Sequence, residues 1–216
     1  VSNLMHTFNG DMLILGSMSV VVDLGVRGQG ATYTGRGFVA PTTTPAWNID
    51  RCNVTDWQDY CIEYVGGQAG SQSTVQDCEI WRTVLSSPAI KLPDDGLSAA
   101  PRHFFNIQTS GGVLMDTGSC QNAVIVGCFL NNMIFGAASK KVIVSGCRIA
   151  TVGADLVING TQHVLSGCVV AGNIVMGATA DGCVAVGNVG AAGAVLNAGA
   201  LRCTVRSNQL VTNTTD

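Results

Sequence analysis

The side chains best suited to chemistry crowd into one stretch of this chain. All three Trp (Trp47, Trp57, Trp81) and all three Tyr (Tyr33, Tyr60, Tyr64) precede residue 82. Trp57, Tyr60, Tyr64 and Trp81 stand among Asp56, Asp59, Glu63, Asp77, Glu79 and Arg82. An indole or phenol face accepts the apolar C–H face of a sugar ring, and carboxylates and guanidinium groups hydrogen-bond its hydroxyls. The mixture therefore predicts a saccharide-binding surface between Trp47 and His103, with Trp57, Tyr60, Tyr64, Trp81, Arg82, Arg102 and His103 as its contacts. The competing expectation for any single aromatic is that it fills a wide core.

Cleavage of a glycosidic bond needs two carboxyls about 5 to 9.5 Å apart. Asp77 and Glu79 are two apart, and on one strand they would share a face roughly 7 Å from each other. Asp94 and Asp95 form a second acidic pair, which equally fits a proline-flanked turn between Pro93 and Pro101. Elimination would instead need a base and a partner for a uronate carboxylate, roles open to Arg102, His103 and Lys91. Arg102-His103 beside Phe104-Phe105 also fits an exposed turn leading into a buried strand. His163 reads as a turn residue. The 9 Cys include no close pair of zinc-site spacing, so neither a metal nor a cofactor is expected.

A repeat has to position these groups. Val124-Ile125-Val126-Gly127-Cys128-Phe129-Leu130 returns as Val142-Ile143-Val144-Ser145-Gly146-Cys147-Arg148-Ile149 and as Val164-Leu165-Ser166-Gly167-Cys168-Val169-Val170. Looser copies centre on Asn188 and Asn208. From Cys128 the anchors advance by 19, 21, 20 and 20 residues. Such a step, with β-branched runs, marks a solenoid whose repeats cannot bury their faces alone. A second apolar phrase recurs between anchors, as in Leu156-Val157-Ile158 and Ile174-Val175-Met176, so each coil holds at least two short strands. A coil this short leaves no room for a helix. The same grammar surrounds Cys52 and Cys78, and Asn106 extends it 28 residues further on. The early coils, 20–110, are thus longer than the regular ones, 111–213, within one domain spanning 1–216. Cys128, Cys147 and Cys168 are expected as free thiols packed in a ladder, with Cys filling the niche of Asn without its polar demand.

Hydrophobic residues make up 47% and charged residues 12% of the 216 residues, which excludes disorder. The net charge is −3 and no basic stripe exists, so nucleic acid is not an expected partner. No apolar run reaches the length of a membrane span. Met12 to Leu24 has no basic leader and does not read as a signal peptide. A chain beginning with Val is expected to be a piece of a longer one.

Cys- and Asn-anchored strands at such steps, with Leu24-Gly25-Val26-Arg27-Gly28-Gln29-Gly30 as an early coil, resemble the right-handed parallel β-helix of pectate lyases, polygalacturonases and bacteriophage tail spikes. Asp94-Asp95 resembles the paired aspartates of the polygalacturonases, although the N-T-D and G-H-G motifs around them are missing. The resemblance implies an all-β, right-handed parallel β-helix solenoid. It further implies a tail-spike-type protein that recognises a bacterial surface polysaccharide, as a homotrimer among other virion tail proteins, assembled in the host cytoplasm. Two alternatives remain: a structural shaft or baseplate module without catalysis, and a free polysaccharide lyase or hydrolase.

Overall fold

The computed structural model describes residues 2–5, 7, 10–29, 34–41, 46–57, 59–65, 72–81, 89–92, 101–110, 115–117, 120–150, 155–190, 194–196 and 199–210. The chain is an all-β parallel solenoid, a right-handed β-helix, with turns about 22 residues apart and no helix among the described residues. Three faces are built from stacked strands. The first is a 10-stranded sheet running from Ser2–Met5 through Leu24–Arg27, Asn53–Thr55 and Glu79–Trp81 to Gln209–Leu210. The second is a 6-stranded sheet, from Leu13–Ile14 to Met133–Ile134; a separate 3-stranded sheet covers Leu156–Ile158 to Ala194–Leu196 in the late coils. The third is a 9-stranded sheet from Ser19–Val22 to Thr204–Arg206. The stack already includes Ser2–Met5, paired in register with Leu24–Arg27, ahead of the start expected near residue 20.

One residue turns the chain from the third face onto the first. In successive coils it is Asp23, Arg51, Asp77, Asn106, Gly127, Gly146, Gly167, Gly187 and Ser207, and every one has a φ between 47° and 64°. Glycine takes this left-handed conformation without a Cβ penalty. The early coils use side chains instead and tie them along the stack. Arg51 donates from Nε to Asp23 Oδ1 at 2.8 Å, and Asn106 Nδ2 donates to Asp77 Oδ1 at 2.7 Å.

The next residue is the anchor, and it points inward. Its own N–H leaves the ladder, and the anchor side chain of the following coil accepts it. Cys128 N–H donates to Cys147 Sγ at 3.4 Å, Cys168 N–H to Asn188 Oδ1 at 2.9 Å, and Asn188 N–H to Asn208 Oδ1 at 2.8 Å. Each anchor also donates back to the third face: Cys147 Sγ to Ile125 O at 3.6 Å, and Asn188 Nδ2 to Leu165 O at 3.0 Å. Cys therefore meets the same polar demand as Asn, with longer and weaker bonds, contrary to its expected role as an apolar filler. All nine cysteines are free. Hydrogen bonds to Cys147 and burial push the Cys128 and Cys168 thiols up, while Cys147, placed between them, moves the other way through the same bonds. The anchor after Cys78 is Ile107, because Glu79 pairs with Gln108; Asn106, read from the sequence as the anchor, is the corner.

Inside the column, identical positions stack. Ile49, Val75, Phe104, Ile125, Val144, Leu165 and Ala185 form one ladder on the third face, all wholly buried or within 1% of it. Coils of 26 to 29 residues between Leu24 and Ile107 enclose more interior than those of 19 to 21 that follow. Phe38, Trp47, Trp57, Tyr64 and Phe104 fill that extra interior. This width is one reason the aromatics concentrate early.

Candidate functional site

Alternation fixes which side chains leave the column on the first face. Positions one and three after each anchor point outward. The first ladder reads Asn3, Gly25, Asn53, Glu79 and Gln108, and the second reads Met5, Arg27, Thr55 and Trp81. All of these but Gln108, together with Asp56, line a groove of about 720 Å³ across the early strands. Trp81 is 44% exposed on this face. Beside it, Asn53 Nδ2 donates to Glu79 Oε2 at 3.1 Å, and Arg27 Nε donates to Asp56 Oδ2 at 3.3 Å. Asn3 folds over the sheet at Gly25, where a Cβ would stand 2.0 Å from Asn3 Oδ1 and push that side chain aside. An exposed indole, two carboxylates, a guanidinium and a row of amides share one concave surface. That set can stack on a sugar ring and hydrogen-bond its hydroxyls.

The expected contact residues separate on inspection. Trp81 and Glu79 meet in the groove. Trp57 and Tyr64 are each 1% exposed, so their faces pack in the interior and are not available to a ligand. Tyr64 sits 5.0 Å from the Trp47 ring and its hydroxyl lies 3.3 Å from Ser73 Oγ; burial pushes its phenol up. Arg102 is also wholly buried: it opens a strand of the third face rather than an exposed turn, and Nη1 donates to Gln121 O at 3.3 Å beneath the Tyr64 ring. His103 is half-buried on the outer third face beside Phe105, away from the groove. Asp77 and Glu79 do not share a strand face. Asp77 is the left-handed corner and bonds Asn106, while Glu79 lies beyond the corner on the first sheet and bonds Asn53. Arg82, Asp94 and Asp95 lie outside the described residues.

Tyr60 belongs to a different surface. Lys91 Nζ lies 5.3 Å from its ring centroid, next to an ion cluster on the second face. There Arg36 grips Asp11 through two bonds of 2.7 and 2.6 Å and also reaches Glu63, which Lys91 approaches to 3.4 Å. The hydrogen bond to Asp11 raises the Arg36 guanidinium further, against the effect of burial and with help from Glu63. These charges satisfy one another and read as a brace between coils.

His163, expected in a turn, is 1% exposed and stacks between Val142 and Cys183 on the inward corner. Val142 N–H donates to its Nδ1 at 3.0 Å, which leaves Nε2–H to donate to Ser139 Oγ at 3.1 Å. Burial lowers its pKa to about 4, and the neutral ring is part of the core.

Arg27, Asn53 and Thr55 were missed as groove residues. The signal was present in the anchor alignment, because they occupy the outward positions that Glu79 and Trp81 occupy one or two coils later. Comparison with known proteins finds no matching family model, no matching curated protein and no matching solved structure.

Proposed function

We propose that this β-helix recognises a polysaccharide through the first-face groove, as a tail-spike-type protein recognises the glycan on a bacterial surface. The observation that carries the reading is Trp81, a large aromatic left 44% exposed between polar ladders while Trp47 and Trp57 are each 1% exposed. A solenoid offers such a groove a fixed, preorganised floor, so little ordering entropy opposes binding. Glu79 and Asp56 are the carboxylates from which cleavage would be built on this face.

The late coils support a stalk-like role beside this site. Their outward positions include Ile143 at 40%, Val157 at 37%, Val169 at 49% and Val189 at 38% exposure. Val169 and Val189 are neighbours on the first face, whereas Ile143 lies on the third and Val157 on the 3-stranded sheet, so each face offers exposed apolar side chains of the sort that contribute to interfaces. On this reading the protein is a homotrimer of a virion tail whose late coils face one another. A mass measurement in solution tests that part, and a monomer at working concentration contradicts it.

The glycan reading is tested by binding to capsular or lipopolysaccharide, followed by assays for reducing ends and for absorbance at about 235 nm. New reducing ends without absorbance mean hydrolysis. Absorbance means elimination, and binding alone means adhesion. No binding leaves the structural-module alternative in place.

A further inference from the structure

Resting on the saccharide reading above, we propose that the groove selects an uncharged glycan, built from neutral or N-acylated sugars, and rejects uronate polymers. The described lining holds two carboxylates, Asp56 and Glu79, against one guanidinium, Arg27. That guanidinium is 62% exposed but shared: its Nε lies 3.3 Å from Asp56 Oδ2, whose side chain is only 10% exposed, so one carboxylate already balances its charge. Glu79 is exposed and takes its hydrogen bond from a neutral amide, Asn53. A ligand carboxylate entering here would be a third negative charge against a single guanidinium among the described lining residues.

The rest of the lining suits neutral groups. Asn3, Asn53 and Thr55 offer amide and hydroxyl groups that donate and accept, which matches sugar hydroxyls and N-acyl groups. These ladders repeat at every strand spacing, ~4.8 Å. A glycan lying along the axis therefore meets the same pair of ladders at each coil, with Trp81 as the stacking platform. Elimination, which requires neutralising a uronate carboxylate, would have to draw Arg27 away from Asp56, since Arg27 is the one cation among the described lining residues.

The test is calorimetric titration of the whole chain with three probes: a neutral hexose oligosaccharide, an N-acetylhexosamine oligosaccharide and an oligouronate. The expected result is binding of at least one uncharged probe, lost in Trp81→Ala, and weaker or no binding of the oligouronate. Glu79→Gln should then improve oligouronate affinity by about 3- to 10-fold, the order expected for removing one like charge from an exposed site. Oligouronate binding tighter than either uncharged probe, and lost in Trp81→Ala, overturns the selectivity while leaving the groove as a glycan site. Failure of all three probes to bind overturns the saccharide reading and this inference with it.

Discussion

Replacing Asn188 with Ala separates a polar anchor column from a merely space-filling one. Asn188 is wholly buried. Its Oδ1 accepts the Cys168 N–H at 2.9 Å, and its Nδ2 donates to Leu165 O at 3.0 Å and to Asn208 Oδ1 at 2.9 Å. Alanine removes the acceptor from one buried N–H and the donor from one buried carbonyl. Each such loss costs about 1–3 kcal/mol, so Asn188→Ala should destabilise by about 2–6 kcal/mol. Asn188→Cys restores the group that Cys147 and Cys168 use in the preceding coils. A thiol is a weak donor and acceptor, so this variant should lie roughly midway between Ala and the original. Urea unfolding followed by far-ultraviolet circular dichroism gives both numbers. If Asn188→Ala loses less than about 0.5 kcal/mol, or if Cys is no better than Ala, the hydrogen-bond account of the column is refuted.

Three further outcomes are expected. His163 has a folded pKa of about 4 against an ordinary 6.5, so below pH 6.5 the unfolded chain takes up a proton that the folded chain refuses. Stability should fall as pH drops from about 6.5 to 4, by roughly 3 kcal/mol in all, and His163→Gln should flatten the upper part of that slope in urea melts made at several pH values. Gly160→Ala places a Cβ 2.4 Å from Ser139 O and 2.7 Å from His163 Nε2 at a φ of 84°, and should cost about 3 kcal/mol or more. Gly167→Ala, at φ 59° with nothing within 4 Å, should cost only the conformational strain of about 1–2 kcal/mol. Trp57→Ala should lose about 3–5 kcal/mol of stability, whereas Trp81→Ala should stay within about 0.5 kcal/mol and lose glycan binding.

The late coils were legible because stacking constrains almost every position in them. The corner glycine and the anchor follow one another in Gly127-Cys128, Gly146-Cys147 and Gly167-Cys168, and the β-branched runs on either side alternate inward and outward. In the early coils the same corner is Asp23, Arg51, Asp77 or Asn106. Asp and Asn tolerate the left-handed conformation better than most residues but signal it far more weakly than glycine, so Asn106 reads as an anchor and Asp77 as a strand residue. The aromatic cluster misled in a different way. Burial, which the residue type does not carry, divides Trp57 and Tyr64 from Trp81. Trp81 stands three positions after the anchor Cys78 and so faces out on the first sheet. Trp57, two residues past the end of the Asn53–Thr55 strand, turns into the wide interior. Arg102 begins a third-face strand at an inward position, where the sequence offers only its charge as a guide.

The most direct test of the glycan groove uses the three tryptophans themselves. Trp47 and Trp57 are each 1% exposed and Trp81 is 44% exposed, so acrylamide should quench essentially one class of emission, and Trp81→Phe should remove it. Titration with an uncharged oligosaccharide is predicted to shield that class from the quencher while leaving the buried class unchanged. Binding of the oligosaccharide with no change in Trp81 quenching would contradict the account and move the site off the first face.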